Sequence, residues 1–442
     1  MTAAALVALH GLWRHANGDR AALDRFRERR LRRLIRHAHR SVPYYREILD
    51  RERVRPEDIR SIEDLASVPM TSRRELQVVT PREAVARRAD PDRLIVRRTS
   101  GASGQPLSIR RTWLEERLLG AFRWRALRSM GLRATDRHAD VAEVEAPDPN
   151  DGQRLHRALQ RLGLYRQARI HALQDPEEIA RALGAFRPDV VTGYAGVLAR
   201  VAQTLSEADR AASRVRFSAV HSEVLTPHMR RQIATAFAAP VYEIYDCNEC
   251  NLIAWQCTRS GELHVCDDAV VVEVVADGRP VAQGERGEVV VTSLHSFAMP
   301  IIRYRLGDVV TRGSAACACG QPFATLRAVQ GRMADYFPLP GGRLLHPYDI
   351  VAILANEPWL REYRVIQERE DLVLLHVVPC RPPRAAELDD LRARVAAVLG
   401  PDVTLRFEIV AEIHVEPNAK FRVCRSLVES GYDGIDWEPR RP

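Results

Sequence analysis

Between Asp189 and Tyr245 the chain alternates short apolar runs with stretches of helical length. The runs are Asp189-Val190-Val191-Thr192-Gly193-Tyr194, Phe217-Ser218-Ala219-Val220-His221 and Pro240-Val241-Tyr242-Glu243-Ile244-Tyr245, and residues 195–206 and 226–237 between them read as helices. Such alternation predicts an α/β fold, a mostly parallel sheet with helices packed on it. Ligands of these sheets collect at the C-terminal ends of the strands. Tyr194, His221-Ser222-Glu223 and Tyr245-Asp246-Cys247-Asn248-Glu249 are therefore expected to face one crevice.

The pattern differs on either side. Residues 22–40 space Leu23, Phe26, Leu31, Leu34, Ile35 and Ala38 as one apolar helix face, which Ser41-Val42-Pro43 stops. Residues 112–131 predict a second helix. From 262 to 312, β-rich runs at 269–275, 287–293 and 301–305 with glycine turns predict an antiparallel unit. Past Gly331-Arg332, a turn at Pro340-Gly341-Gly342, helices near 347–356 and 384–398 and strands at 362–367, 371–378 and 403–410 read as a separate α+β lobe. The expected domains are 1–332 and 333–442.

Composition excludes several classes. The chain of 442 residues is 46% hydrophobic, with no window near 18 consecutive apolar residues, so no spanning helix and no membrane partner is expected. Met1 to Leu9 lacks a basic start and a cleavage site, which reads as no signal peptide and a cytoplasmic protein. The net charge of +8 comes from arginines spread among 58 acids and not from a stripe, so no nucleic-acid partner is expected. Lys420 is the only lysine among 66 basic residues. A chain that uses arginine everywhere else suggests by this one exception a place where a compact ammonium is required and a planar fork will not serve.

Thr99-Ser100-Gly101-Ala102-Ser103-Gly104 offers three hydroxyls and two glycines in six residues after a short apolar run. Glycines let consecutive N–H groups approach an anion, so the stretch reads as a phosphate cradle, or more plainly as a surface turn. No Gly-Lys-[Ser/Thr] closes it, so it is not a Walker loop.

The loop, Tyr245 to Glu249, Tyr304-Arg305-Leu306-Gly307-Asp308, Gly331-Arg332 and Lys420 occur in an order that resembles the adenylate-forming superfamily, the acyl-CoA synthetases and their relatives. Arg36-His37-Ala38, Val42-Pro43-Tyr44-Tyr45-Arg46, Met299-Pro300-Ile301-Ile302-Arg303-Tyr304-Arg305-Leu306-Gly307-Asp308 and His346-Pro347 are similar to the phenylacetate-CoA ligase group within it. The resemblance implies a large N-terminal adenylating body and a mobile C-terminal lid. It implies that ATP and Mg²⁺ convert a carboxylic acid, as a family-level guess an aromatic one, to an acyl-adenylate, whose acyl group passes to CoA. The acceptor could equally be an amine or a carrier protein, and a non-catalytic nucleotide-binding homologue and a homodimer stay open.

Carried over residue by residue, Thr99, Ser100, Gly101, Ala102, Ser103 and Gly104 would hold the β- and γ-phosphates. Tyr245 would stack on adenine, Asp308 would accept the ribose hydroxyls, Arg332 would contact the ribose side, and Glu249 would help to hold Mg²⁺. Lys420 would bridge the carboxylate and the α-phosphate, and Tyr194, His221 and Glu223 would line the acid pocket. Several positions depart from the pattern. Leu107 stands where many relatives carry Lys or Arg, Asp246 replaces the Gly after the tyrosine, Ala419 replaces the Gly before the lysine, and Ala334 with Asp335 occupies the hinge. Cys257, His264, Cys317 and Cys319 resemble a cysteine–histidine set of short relatives and would suit structural zinc. Cys266 is an alternative to His264, and Cys247 with Cys250 is a rival pair.

Overall fold

The computed structural model describes residues 15–16, 18–98, 107–142, 160–332, 337–345, 348–354, 357–413 and 423–428. These form a mixed α/β fold that divides into two units, one built from the described residues up to Met130 and from Ile244–Gln330, the other from Gly131–Glu243 and the described residues from Gly331 on.

In the first unit the helix Arg20–Ser41 starts at Asp19, whose carboxylate accepts the Ala22 N–H, and ends before Pro43, which opens the helix Pro43–Arg51. Its apolar stripe (Leu31, Leu34, Ile35, Ala38) packs with Tyr45, Leu49, Val271, Leu294 and Ile302 in a core without solvent access. The strands run in the order Arg279–Pro280, Val270–Ala276, Arg286–Ser293, Tyr304–Arg312, Thr325–Arg332, Leu263–Val265, Asn251–Gln256 and the latter half of Val241–Cys247. The third predicted strand of the antiparallel unit begins at Tyr304 and not at 301. Arg303 sits at φ +43, which breaks the extended run, and Ile301 and Ile302 are spent on the core. A separate hairpin, Ile95–Arg98 with Ser108–Arg111, pairs only with itself, and the helix Trp113–Ser129 follows from a Thr112/Glu115 capping box.

The second unit holds the parallel strands. From the first half of Val241–Cys247 the order is Phe217–His221, Val190–Tyr194, Arg137–Ala142 and Arg166–His171, every pair parallel. The helices Pro176–Phe186, Ala195–Thr204 and Pro227–Phe237 bury Ile179, Leu198, Val201 and Ile233 on it. Gly193 is required there, because a Cβ would lie 2.6 Å from the Val141 carbonyl oxygen. The C-terminal lobe has its own four strands, Thr404–Ile409, Leu372–Pro379, Leu360–Arg369 and Cys424–Ser426, and its own core around Trp359, Val365, Leu375 and Leu391. Among the described residues no helix is long and apolar enough to cross a membrane.

Candidate functional site

Two irregular strands carry the main constellation of the first unit. In Tyr304–Arg312 the pairing with Arg286–Ser293 slips between Glu288 and Val290, where Gly307 adopts φ +78. In Val241–Cys247 the pairing with Asn251–Gln256 slips between Tyr245 and Asp246. Bulges of this kind re-aim side chains, and these two bring Tyr245 and Asp308 together: the tyrosine hydroxyl donates to the Asp308 carboxylate at 2.7 Å, both groups buried.

Glu249 lies in the turn Asn248–Cys250 that joins Val241–Cys247 to Asn251–Gln256. It is 6% exposed and, among the described residues, accepts one hydrogen bond, from the Tyr304 hydroxyl at 3.2 Å. Burial, and then the charge of Glu249, push the Tyr304 hydroxyl well above its ordinary pKa, so it stays a donor. A buried carboxylate with about four acceptor positions and a single donor is poorly compensated, and its oxygens suit a hard divalent cation. Asp246 is ion-paired with Arg123 on the helix Trp113–Ser129, so the additional carboxylate next to Tyr245 carries its own counter-charge. Leu107 is a core residue, 3% exposed.

The proposed acid-pocket residues occupy the second unit. The rings of Tyr194 and His221 meet edge-on at 5.4 Å, and Glu223 accepts the Gly196 N–H at 2.6 Å in the first turn of the helix Ala195–Thr204. There the carboxylate meets the positive end of the helix, a capping role that the spacing of the sequence did not suggest. Thr99, Ser100, Gly101, Ala102, Ser103, Gly104, Ala334, Asp335, Ala419 and Lys420 lie outside the described residues, as does the side chain of Arg332, whose backbone ends the strand Thr325–Arg332.

The sulfurs of Cys257, Cys317 and Cys319 and a ring nitrogen of His264 all lie within 4.8 Å of one another, a group that could hold a metal ion. Tetrahedral bonds of about 2.3 Å set ligands about 3.8 Å apart, which this group can meet with small adjustments. Burial, and then the positive charge of Arg125, lower the His264 pKa to about 4, so its imidazole is the neutral form that binds metals. Cys266 faces elsewhere, accepting from Arg125 at 3.3 Å beside Asp268, and does not replace His264. Cys247 accepts the Cys250 N–H at 3.3 Å and belongs to no metal-holding group among the described residues.

No protein-family model matches the chain. It is 26% identical over 376 residues to the phenylacetate-coenzyme A ligase of Thermus thermophilus, covering 79% of each, and 24% identical over 439 residues to that of Aromatoleum evansii, covering 92% of this chain and 93% of the other. The crystal structure of 2-hydroxyisobutyryl-CoA ligase in the postadenylation state superposes with a TM-score of 0.77 at 22% identity over 93% of this chain and 91% of that one. Similarity along nearly the whole length to phenylacetate-coenzyme A ligases, with a fold shared with 2-hydroxyisobutyryl-CoA ligase, agrees with the resemblance that the sequence motifs carry.

Proposed function

We propose that this protein activates an aromatic carboxylic acid with ATP, releasing pyrophosphate and forming an acyl-adenylate, and then transfers the acyl group to the thiol of CoA with release of AMP. The observation that carries this reading is the pair of bulged strands that sets Tyr245 on Asp308 and holds Glu249 nearly uncompensated next to Tyr304. Asp308 accepts the ribose hydroxyls while Tyr245 orients its carboxylate, and Tyr245 presents its ring to adenine. Glu249 is the residue that would hold Mg²⁺, which when bound supplies positive charge against the charge that builds on the phosphate oxygens.

Ile413 and Val423, the described residues on either side of 414–422, line a cleft with Gly196 and Thr226, and the Gly196 N–H is the one held by Glu223. The edge-packed aromatic rings of Tyr194 and His221 favour a flat acid near that helix. We read the cation of the cysteine–histidine group as structural zinc, since three thiolates and one imidazole form a closed set. About one zinc per chain is expected by elemental analysis. Cys317→Ser should lose it and lower the melting temperature, whereas exposed Cys380→Ser should do neither.

The test is acid-dependent exchange of pyrophosphate into ATP over a panel of aryl and alkyl acids, followed by turnover with CoA. Exchange with aryl acids and turnover only with CoA is expected. Turnover only with an amine or a carrier protein changes the acceptor, and no exchange with any acid overturns the reading. Lys420→Arg should lose most exchange while ATP binding survives, because a misplacement of about 1 Å can cost roughly 100-fold.

A further inference from the structure

Among the described residues the hairpin Ile95–Arg98/Ser108–Arg111 pairs with no other strand, and an isolated two-stranded hairpin is marginal in water. Buried Leu107 and Ile109 set how deeply it sits, but apolar contact is non-directional and does not choose its register. Besides the Arg110 N–H, which donates to the Met299 sulfur at 3.4 Å, directional contacts come from Glu116 and Asn248. Glu116, on the helix that follows, accepts from Arg97 at 2.9 Å and from Arg111 at 3.1 Å. Although burial opposes its charge, Arg111 and then Arg97 outweigh that and hold its pKa below the usual carboxylate value. The other is Asn248. Its side-chain amide donates to the Arg98 carbonyl at 2.8 Å, and its own carbonyl accepts from Arg111, so it grips one strand with its side chain and the other with its backbone.

Asn248 also directly precedes Glu249 in the same three-residue turn. We infer that Asn248 is a positioning residue that clamps the hairpin Ile95–Arg98/Ser108–Arg111 to the Glu249 turn, so that the two hairpin strands and the Glu249 carboxylate keep one mutual register. The importance of that register for nucleotide binding rests on the function proposed above, whereas the clamp itself does not. Asn248 is exposed, so its amide adds little to global stability, and what it contributes is local order.

The experiment has two arms. Without any ligand, hydrogen exchange of peptides spanning 95–98 and 108–111 is compared in wild type, Asn248→Ala, Asn248→Asp and Asn248→Gln. With MgATP and an accepted acid, KM and kcat are measured for the same proteins. Asn248→Ala and Asn248→Asp should speed exchange of the hairpin and raise KM for MgATP about fivefold to tenfold, the scale of one lost hydrogen bond. The melting temperature should stay within about 2 °C and kcat within about threefold, as for a surface change outside the chemistry. Asn248→Gln, which keeps an amide donor, should recover part of both effects. Unchanged hairpin exchange in Asn248→Ala overturns the clamp. Faster exchange in that variant, with a wild type that activates no acid, keeps the clamp and overturns the proposed function.

Discussion

Two buried carboxylates of the same unit, Asp268 and Glu249, meet opposite surroundings. Asp268 is without solvent access and saturated: Arg125 donates to both oxygens, one bond at 2.7 Å, and His15 adds a contact at 3.0 Å. Arg125 is in turn framed by Phe122, Trp255 and Phe323, with its guanidinium 5.0–5.4 Å from their ring centres. Glu249 is nearly as buried and, among the described residues, has one tyrosine hydroxyl. Both are acids inside protein, so burial alone distinguishes nothing. The count of compensating donors does: a saturated acid is part of the architecture, and an undersaturated one waits for a ligand.

The largest effect expected from this contrast is at the saturated site. Arg125→Met leaves Asp268 buried beside His15 alone and should cost about 3–5 kcal/mol of stability in urea unfolding. Arg125→Met combined with Asp268→Leu should recover most of that loss, since a buried pair replaced by apolar residues is often neutral. A single variant as stable as wild type would erase the contrast. At the undersaturated site, Glu249→Gln should reduce pyrophosphate exchange on the order of 100-fold. Its stability should be unchanged or raised, because an uncompensated buried charge has been removed. If Glu249→Gln instead unfolds as readily as Arg125→Met, Glu249 is architecture too.

The smallest effect sharpens the description of the saturated region. His295 donates Nε2–H to the Asp268 carbonyl at 2.7 Å and accepts from Arg30 at 3.0 Å, a pattern only the neutral ring can make. Burial, and then the charge of Arg30, lower its pKa to about 4. The folded value lies below the unfolded value of about 6.5, so the unfolded chain binds more protons between them. This contribution is therefore full above about pH 6.5 and is lost as pH falls toward 4. His295→Gln should flatten that part of the stability–pH curve, and an unaltered slope would show that His295 does not titrate there.

Much of the fold could be read from residue order, because apolar periodicity records burial directly. The strands Val190–Tyr194 and Phe217–His221 and the helices Ala195–Thr204 and Pro227–Phe237 lie within a residue or two of their sequence-based limits. The strands Arg137–Ala142 and Arg166–His171 went unread, since arginines and histidines interrupt the apolar pattern of the outer strands of the parallel set. Cys424–Ser426 is too short to signal itself and exists through pairing with Leu360–Arg369.

The candidate site divides in the same way. Residue types and their order named Tyr245, Asp308 and Glu249 through a resemblance, but the hydroxyl on Asp308 depends on two register slips that no periodicity announces. Asp246 was legible only as a departure from the family pattern, and Arg123, more than a hundred positions earlier, could not be recognised as its partner. Asn248 was visible only as a member of a motif, and its two grips on the hairpin are tertiary facts.

The cysteine–histidine group has a consequence for handling. Burial opposes ionisation of Cys257, but the donors of Ser260 and Arg259 outweigh it and hold this thiol below its ordinary pKa. Two further sulfurs stand within 4.8 Å. A favoured thiolate with neighbouring sulfurs in reach is the arrangement from which disulfides form once an oxidant such as peroxide is present, with two thiols giving up their protons and two electrons. A bound cation and a reducing agent thus guard the same sulfurs. Stripping the metal with a chelator in aerated buffer should convert reversible metal loss into covalent cross-linking between Cys257 and the Cys317–Cys319 segment, a change that adding metal back does not repair.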